Sequence, residues 1–240
     1  GGEVQRPRAN LERVILWAIQ HVDFKVFIWT DPSSIFEGMC AIQAHFESAF
    51  GARVVSNIEI RDINKDLLSF AKVNFAESFI RYEIERLRPN YGASSDMIRY
   101  AALFIYGGAY FDSDILPGGE SLDERHTFGE LEGEGHQFYV DGRSQNTNNI
   151  GNDAFISTKE NPIALQLLKL SCEHYNADYF QGVMKKPFYL FYDRFKDIRA
   201  LTPNITGPRM VDEIVLRAER KLKTPTESDF DVGNVRSGIE

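Results

Sequence analysis

Apolar residues follow two different periods along the chain, and the order of these periods predicts the fold class. After Asn10, a residue suited to cap a helix, apolar residues recur at helical spacing, and the apolar run 24–29 that follows is typical of a buried strand. Similar patterns predict helices near 35–50, 63–87, 94–106, 161–175, 188–198 and 209–222, and strands near 53–58, 109–114, 136–141 and 153–158. Because helices and strands alternate, the pattern indicates an α/β domain with a mostly parallel sheet.

The segment 94–114, SSDMIRYAALFIYGGAYFDSD, contains the strongest local signals. Ser94 or Ser95 is suited to cap a helix that continues to Tyr106. Gly107 predicts the end of that helix, because glycine adopts the positive φ that a helix C-terminus commonly needs. A helix, a tight turn and a strand are therefore predicted in close succession.

Charged side chains lie on both sides of this turn. Asp96 and Arg99 are three residues apart near the N-terminal end of the helix, so they project from neighbouring positions. The period of two in the strand places Tyr110, Asp112 and Asp114 on one face. Two carboxylates on one face are costly when buried unless a positive group neutralises them, and a divalent cation that also binds diphosphate and water would do so.

An Asp-x-Asp pair carries little information by itself, because acidic residues occupy 35 of the 240 positions and a second pair stands at 229–231. Such a pair is ordinarily a solvated turn. The context favours a functional site: a capped helix opens with Asp-x-x-Arg, two glycines close it, and the carboxylates end an aromatic strand. Open α/β sheets bind ligands outside the carboxyl ends of their strands, where this pair is predicted to lie.

Composition limits the partners. The 240 residues are 43% hydrophobic and 26% charged, which is ordinary for a globular protein, and one domain over residues 1–240 is expected. The formal net charge is −8 without a long basic run, so no nucleic-acid partner is expected. No apolar run approaches the ~18 residues of a membrane span, so no transmembrane segment is expected. Cys40 and Cys172 are expected to be core residues.

The segment 94–118, SSDMIRYAALFIYGGAYFDSDILPG, resembles the donor-binding core of glycosyltransferases that have a DxD motif and the GT-A fold. The resemblance is nearest to the sugar-transferring domain of large clostridial cytotoxins and to the related polysaccharide and mannosyl transferases. Three shorter segments resemble further parts of that domain in the same order: DFKVFIWTDPSS at 23–34, NIGNDAFIST at 149–158 and NITGP at 204–208. The resemblance implies a GT-A type α/β fold with a Rossmann-like, mostly parallel sheet, flanking helices and a C-terminal lid segment.

Carried over residue by residue, the resemblance implies a role for each side chain of the candidate site. Asp96 would bind sugar hydroxyls, Arg99 would contact the sugar and the diphosphate, and Asn152 would contact the donor near its anomeric carbon. Tyr110 would lie against the nucleotide, and Asp112 would bind the ribose and a metal-bound water. The implied catalytic residues are Asp96, Arg99 and Asn152; the implied nucleotide-sugar contacts are Ser95, Asp96, Arg99, Tyr110, Asp112 and Asn152; the implied ligands of Mn²⁺ or Mg²⁺ are Asp112, Asp114 and Asp231.

The chain departs from the family's pattern at both ends. It opens with the polar stretch GGEVQRPRAN where the family has a strand that ends in Trp-x-Gly-Gly, so the first strand is expected to be missing, and Trp29 is expected to be a core residue. Because the chain does not begin with methionine, we expect an excised domain, a processed product or a tagged protein. Residues 227–240 stand where the family has its lid, without the lid's tryptophan, and Asp229, Asp231 or Asn234 is the candidate for a further metal contact.

The resemblance implies transfer of a sugar with retention of configuration, from UDP-glucose or UDP-GlcNAc, and it leaves the acceptor open. A protein hydroxyl, such as one on a host small GTPase, fits a toxin or effector domain that is secreted and delivered to the host cytosol as part of a larger protein. A capsular or cell-wall glycan acceptor is the alternative enzyme. An inactive carbohydrate-binding or interaction domain is the alternative of another class, and metal-dependent donor hydrolysis distinguishes it from both enzymes.

Overall fold

The computed structural model of the chain describes residues 5–30, 56–85, 89–118, 138–140, 152–176 and 206–211, and the single positions 44, 47, 48, 51, 202 and 214. The chain forms two compact units, each made of two segments. The first unit combines Gly1–Ser69 with Phe111–Phe128, and the second combines Phe70–Tyr110 with Gly129–Glu240. The expectation that residues 1–240 form one domain stays a prediction.

The first unit contains a helix and a parallel pair of strands. Helix α1 (Gln5–Gln20) precedes strand β1 (Val26–Thr30). Strand β2 (Ile58–Asp62) pairs with β1 in parallel and is followed by a single π-helical turn (Asn64–Leu68). The parallel pairing that the sequence predicts is confirmed for these two strands.

The apolar spacing of α1 explains its packing in the first unit. Ile15 is buried, and Leu11, Ile28 and Ile58 pack against it. Ala18, one turn further along the same face, is also buried. Burying a side chain of this size stabilises the fold by about 1.5–3 kcal/mol, which is enough to fix the helix on the strand pair.

Two boundaries in the first unit differ from the sequence prediction. The predicted N-cap, Asn10, lies inside α1, because the helix already includes Gln5. Of the strand predicted at 53–58, positions 56 and 57 form a turn and Ile58 begins β2, whereas positions 53–55 lie outside the described residues. Asn57 lies in a turn, where its side-chain amide donates to three backbone carbonyls at the end of α1 and just after it, so the strand begins one residue later.

The second unit contains helices and a three-stranded sheet. Its elements are a 3₁₀ turn (Asn74–Ala76), α2 (Glu77–Glu85), α3 (Tyr91–Tyr106), β3 (Gly108–Phe111), β4 (Phe138–Val140), β5 (Ala154–Ser157) and α4 (Pro162–Asn176). The strand order is β3-β5-β4, and β4 pairs with β5 in antiparallel orientation. The alternation of helices and strands agrees with the predicted α/β class, whereas this antiparallel pair departs from a mostly parallel sheet.

Helix α3 is buried along most of its length. Met97, Leu103 and Phe104 are among its buried apolar side chains. Tyr100 packs edge-on against Phe155 of β5, with the ring centroids 5.9 Å apart. Polar side chains on the buried faces of α3 are therefore enclosed in the core, where each needs a hydrogen-bond partner.

The prediction that Cys172 is a core residue is confirmed. It is a buried free thiol on α4, and burial raises its pKa from 9.0 to about 12. Cys40 lies outside the described residues. Within the described part of the chain, no helix is long and apolar enough to cross a membrane.

Three predicted helices fall largely outside the described residues. Of the helix predicted at 35–50, only positions 44, 47 and 48 are described, and they are helical. Of the helix predicted at 209–222, positions 209–211 and 214 are described, and they are helical as well. The helix predicted at 188–198 lies wholly outside.

Candidate functional site

Helix α3 begins earlier than the sequence pattern predicts. Its N-cap is Asn90, whose side-chain oxygen accepts a hydrogen bond from the backbone N–H of Ala93 at 3.3 Å. The predicted caps, Ser94 and Ser95, lie inside the helix, and the hydroxyl of Ser94 donates to the carbonyl of Tyr91 at 3.2 Å. Asparagine caps helices as well as serine does, so the helix gains one turn at its N-terminal end.

This earlier start moves Asp96 and Arg99 away from the helix terminus. Counted from Tyr91, they stand in the second and third turns, and each residue is only 4% exposed. The helix dipole acts mainly over the first turn. The expected position of the pair at the helix end is therefore wrong, and packing sets its environment instead.

Asp96 lies at the centre of a buried hydrogen-bond cluster, which we call the Asp96 cluster. Its Oδ1 accepts from Nη2 of Arg99 at 3.0 Å and from Nδ2 of Asn152 at 3.0 Å. Its Oδ2 accepts from the hydroxyl of Thr206 at 2.8 Å. A buried carboxylate without partners would be costly, and here one cation and two neutral donors compensate it.

Tyr100, one turn after Asp96 on α3, belongs to the same cluster. Its hydroxyl donates to the backbone carbonyl of Thr206 at 2.7 Å, and a hydrogen bond also joins it to the side chain of Asn152. Burial raises the pKa of Tyr100 well above its ordinary value of 10.0, and the charge of Asp96 raises it further. Tyr100 is therefore a neutral hydrogen-bond donor that orders the cluster, and it is unsuited to acid–base work near neutral pH.

Arg99 joins the helix side of the turn to the strand side. Its guanidinium carbon lies 4.6 Å from the centre of the Tyr110 ring, which is a cation–π distance. The Tyr110 hydroxyl is 3.4 Å from the hydroxyl oxygen of Ser95. A guanidinium that is fixed by a carboxylate and stacked on a ring keeps one orientation, so its charge is presented in one direction.

Five side chains of the second unit that the sequence predicts to bind a sugar nucleotide lie close together, either in the Asp96 cluster or in the contacts that Tyr110 makes with Arg99 and Ser95. They are Ser95, Asp96, Arg99, Tyr110 and Asn152. Their role in donor binding stays a prediction. Sequence reasoning did not single out Tyr100 and Thr206. Thr206 lies in the NITGP segment that resembles part of the family's domain, so the sequence could have indicated it. Tyr100 lies in an apolar helical stretch, and nothing in the sequence distinguishes it from a core residue.

The two carboxylates of the D-x-D pair lie beyond β3 and not on it. The strand ends at Phe111, and Ser113 and Asp114 form a turn in which the N–H of Ile115 donates to the carbonyl of Asp112 at 2.9 Å. The period of two applies to extended backbone only, so the prediction that Asp112 and Asp114 share a strand face is wrong. Asp112 is half-buried, and Asp114 is exposed.

The donor type of these two residues fits a hard divalent cation. Mg²⁺ and Mn²⁺ bind carboxylate oxygens and complete their shell with phosphate oxygens and water, so one or two protein carboxylates suffice beside a diphosphate. Among the described residues, no group of three or more His, Cys, Asp or Glu side chains is gathered for a metal ion. The third predicted ligand, Asp231, lies outside the described residues, as do Asp229 and Asn234.

A family model matches just under half of the chain. Residues 7–124 match the glycosyltransferase sugar-binding region containing a DXD motif. The matched range includes Asp96, Arg99 and the pair Asp112 and Asp114. The resemblance to DxD glycosyltransferases is thereby confirmed.

Two known proteins are similar over most of this chain. "Subversion of eukaryotic traffic protein A" of Legionella pneumophila subsp. pneumophila (strain Philadelphia 1) is 29% identical over an alignment of 209 residues, and the match covers 84% of this chain and 28% of that protein. The solved "PaToxG Glycosyltransferase" has a TM-score of 0.54 at 19% identity, and the match covers 89% of this chain and 64% of that one. The chain therefore spans less than two thirds of either protein, and the second comparison shows a shared fold.

Proposed function

We propose that this chain is the glycosyltransferase domain of a toxin or effector, and that it transfers glucose or GlcNAc from a UDP-sugar to a protein hydroxyl. The observation that carries the proposal is the Asp96 cluster. In it, Arg99 and Asn152 donate to the same oxygen of Asp96, and the ring of Tyr110 stacks on the guanidinium of Arg99. Along the chain this constellation stands directly before the Asp112-x-Asp114 pair, inside the range of the DXD family model.

Arg99 supplies the positive charge that the donor's diphosphate requires. Its guanidinium is held by Asp96 at 3.0 Å and by the Tyr110 ring at 4.6 Å, so little side-chain entropy is left to lose when it binds phosphate oxygens. The chain carries a net charge of −8, and an anionic ligand therefore depends on such a local cation.

Asn152 presents a polar group to the transferred sugar. Because its Nδ2 donates to Asp96, its Oδ1 is the end that can accept a hydrogen bond from a sugar hydroxyl. The residue is half-buried, which leaves it within reach of a ligand. The two carboxylate oxygens of Asp96 accept hydrogen bonds from Arg99, Asn152 and Thr206. In this proposal Asp96 orients Arg99 and Asn152, and it also contacts the sugar.

The partners of Asp96 also support a retaining reaction without a covalent enzyme intermediate. A covalent route needs a carboxylate that attacks the anomeric carbon. Asp96 is buried under Arg99, Asn152 and Thr206, so it is unsuited to that attack. In the proposed reaction the bond from the anomeric carbon to UDP breaks, the acceptor oxygen forms the new bond on the same face, and its proton passes to the leaving phosphate.

Asp112 and Asp114 are the residues that would hold the divalent cation of the proposed enzyme. When bound, Mn²⁺ or Mg²⁺ stabilises the negative charge that develops on the departing UDP. Asp112 would also bind the ribose. Both residues follow Tyr110 closely along the chain, so one continuous segment would supply the Tyr110 contact with the nucleotide and these two metal ligands.

A protein acceptor in a eukaryotic host is the acceptor that the comparisons favour. The Legionella relative is named for subversion of eukaryotic traffic. We therefore propose a host protein hydroxyl, with a small GTPase as the leading candidate, and a secreted protein as the carrier of this domain. Labelling separates this acceptor from a bacterial glycan: radioactive sugar enters protein bands of a eukaryotic lysate in the first case and a bacterial polysaccharide fraction in the second.

Donor hydrolysis tests the enzymatic proposal before any acceptor is known. The chain is incubated with a panel of nucleotide sugars and Mn²⁺, and the release of free nucleotide is measured. We expect release from UDP-glucose or UDP-GlcNAc that stops when a chelator is added. Binding without release from any donor would instead favour an inactive carbohydrate-binding domain.

A further inference from the structure

One face of helix α1 is directed at the segment 111–118, which carries Asp112 and Asp114. Three side chains of this face contact the segment, and a fourth orients one of the three. All of these residues belong to the first unit. They recur at the three- and four-residue spacing of a single helix face, and they are Asn10, Arg13, Trp17 and Gln20.

Trp17 holds the segment on both sides of the carboxylate pair. Its ring stacks on Phe111, with centroids 4.2 Å apart and planes at 16°. Its indole N–H donates to the backbone carbonyl of Ile115 at 3.0 Å. Phe111 and Ile115 directly flank the stretch from Asp112 to Asp114. One side chain therefore restrains the residues before and after the pair.

Asn10 and Gln20 restrain the same segment at two further points. The amide Nδ2 of Asn10 donates to the hydroxyl oxygen of Ser113 at 3.0 Å. Nη1 of Arg13 donates to Oδ1 of Asn10 at 3.0 Å, which turns the amide so that its NH₂ faces Ser113. Nε2 of Gln20 donates to the carbonyl of Gly118 at 2.7 Å. These contacts are hydrogen bonds, so their strength depends on the donor–acceptor angle as well as on the donor–acceptor distance.

The ladder of β3 ends at Phe111 and does not hold the two carboxylates. We propose that α1 positions Asp112 and Asp114 for the divalent cation and the donor's diphosphate, with Trp17 and Asn10 as positioning residues. This inference rests on the proposed function. Carboxylates that are ordered before binding lose less conformational entropy when the metal and diphosphate arrive. Loss of an anchor therefore weakens metal-dependent binding selectively.

Trp17→Phe tests the proposal, because it keeps a ring on Phe111 and removes the N–H that Ile115 accepts. Trp29→Phe is the matched control. Trp29 lies on β1 of the same unit, and its ring packs edge-on against Phe27 with the ring centroids 6.1 Å apart. Both substitutions remove the same group. A general loss of packing would affect the two variants alike.

Hydrogen exchange in the absence of any ligand measures directly how well ordered the segment 111–118 is. We expect amides of residues 112–118 to exchange about tenfold faster in Trp17→Phe than in the parent, because a hydrogen bond that closes the segment is lost. Trp29→Phe should match the parent there. Equal exchange in the parent and in Trp17→Phe would overturn the positioning role.

Calorimetry measures the affinity for UDP with and without Mn²⁺, and electron paramagnetic resonance measures how much Mn²⁺ is bound. We expect Trp17→Phe to weaken UDP binding about tenfold in the presence of Mn²⁺ and to change metal-free binding by less than about twofold. An equal loss with and without metal, or the same result for Trp29→Phe, would contradict the inference.

Asn10→Ala covers the case in which Trp17→Phe does not fold. It removes the exposed hydrogen bond to Ser113 together with the one from Arg13, and we expect a loss of about threefold that is again confined to the Mn²⁺-dependent binding. No loss would count against the inference. If the parent itself shows no Mn²⁺-dependent binding of UDP, the proposed function fails and the metal part of the inference with it, while the exchange comparison still decides whether α1 orders the segment.

Discussion

Asp96 shows how burial changes the meaning of a charged pair. The sequence spacing to Arg99 suggests a pair near a helix end, where removal of the arginine would cost little stability. In the structure the side chains of Arg99 and Asp96 are only 4% and 5% exposed, and Asn152 and Thr206 donate to the same carboxylate. Removing one charge therefore leaves the other buried without compensation.

We expect Asp96→Asn to lower the free energy of unfolding by about 3–5 kcal/mol, the usual effect of breaking a buried ion pair. Urea denaturation measures this loss. Glu77→Gln is the matched control, because Glu77 pairs with Arg81 on the surface of α2 at 2.8 Å, and such a pair contributes about 0–1 kcal/mol. Losses of the same size in both variants would mean that the Asp96 pair behaves as a surface pair.

Asp114 differs from Asp96 because it is exposed and lies in a turn. We expect Asp114→Asn to reduce donor hydrolysis and transfer about a thousandfold, since it removes a proposed metal ligand, and to leave the unfolding midpoint unchanged. Asp23→Asn, a change at an exposed carboxylate of the first unit, should leave both activity and stability as in the parent. Activity of Asp114→Asn within about threefold of the parent would exclude the metal role.

The turn between α3 and β3 depends on a close approach of two backbones. Gly107 has φ 68° and ψ −159°, so the predicted positive φ is confirmed, although the ψ value lies outside the left-handed helical region. A Cβ at this position would lie 2.6 Å from the backbone nitrogen of Lys159. The N–H of Glu160 also donates to the carbonyl of Phe104 at 2.7 Å, which ties the end of α3 to the residues after β5.

Alanine at the two glycines separates backbone strain from steric overlap. Gly108 also has a positive φ, 88°, but nothing lies within 4 Å of its Cβ position. We expect Gly108→Ala to cost about 1–2 kcal/mol of unfolding free energy, from strain alone. Gly107→Ala should cost clearly more, about 3 kcal/mol or above, because the backbone at Lys159 must move as well. Chemical denaturation of both variants measures the difference, and equal costs would show that the contact with Lys159 is easily relieved.

Two buried acids link the stability of the whole molecule to alkaline pH. Burial raises the pKa of the Cys172 thiol to about 12, against an ordinary value of 9.0, and it raises that of Tyr100 well above 10.0. The unfolded chain therefore loses these protons at a lower pH than the folded chain does. Since the folded state binds more protons in this range, stability is complete below pH 9 and falls as the pH rises towards 12.

We expect the free energy of unfolding to fall above pH 9 by up to about 1.4 kcal/mol per pH unit from Cys172, and more steeply once Tyr100 contributes. Urea denaturation at pH 8, 9.5 and 10.5 measures the slope. Cys172→Ala should be less stable than the parent at pH 8 and should lose less stability between pH 8 and 10.5. Parallel curves for parent and variant would show that the thiol titrates normally in the folded state.

The sequence by itself determined the type and order of most described elements, and it singled out Asp96, Arg99 and Asn152 of the Asp96 cluster but not Tyr100 and Thr206. The periods that predict α3, β5 and α4 are properties of single elements, since the spacing of apolar residues acts over a few neighbours. The segment 94–118 also contains Asp96, Arg99 and Tyr110, so the contacts that Arg99 makes with the other two side chains need no distant part of the chain.

Only the tertiary structure decided where elements begin and end and which distant residues meet. Asn90 caps α3 in place of Ser94 or Ser95, and β3 stops before Asp112; the free energies that separate such alternatives are about 1 kcal/mol, and packing outweighs them. Thr206 reaches Asp96 across 110 residues, and Trp17 reaches Ile115 across 98. Contacts of this range follow from the packing of a whole unit, which no short stretch of sequence contains.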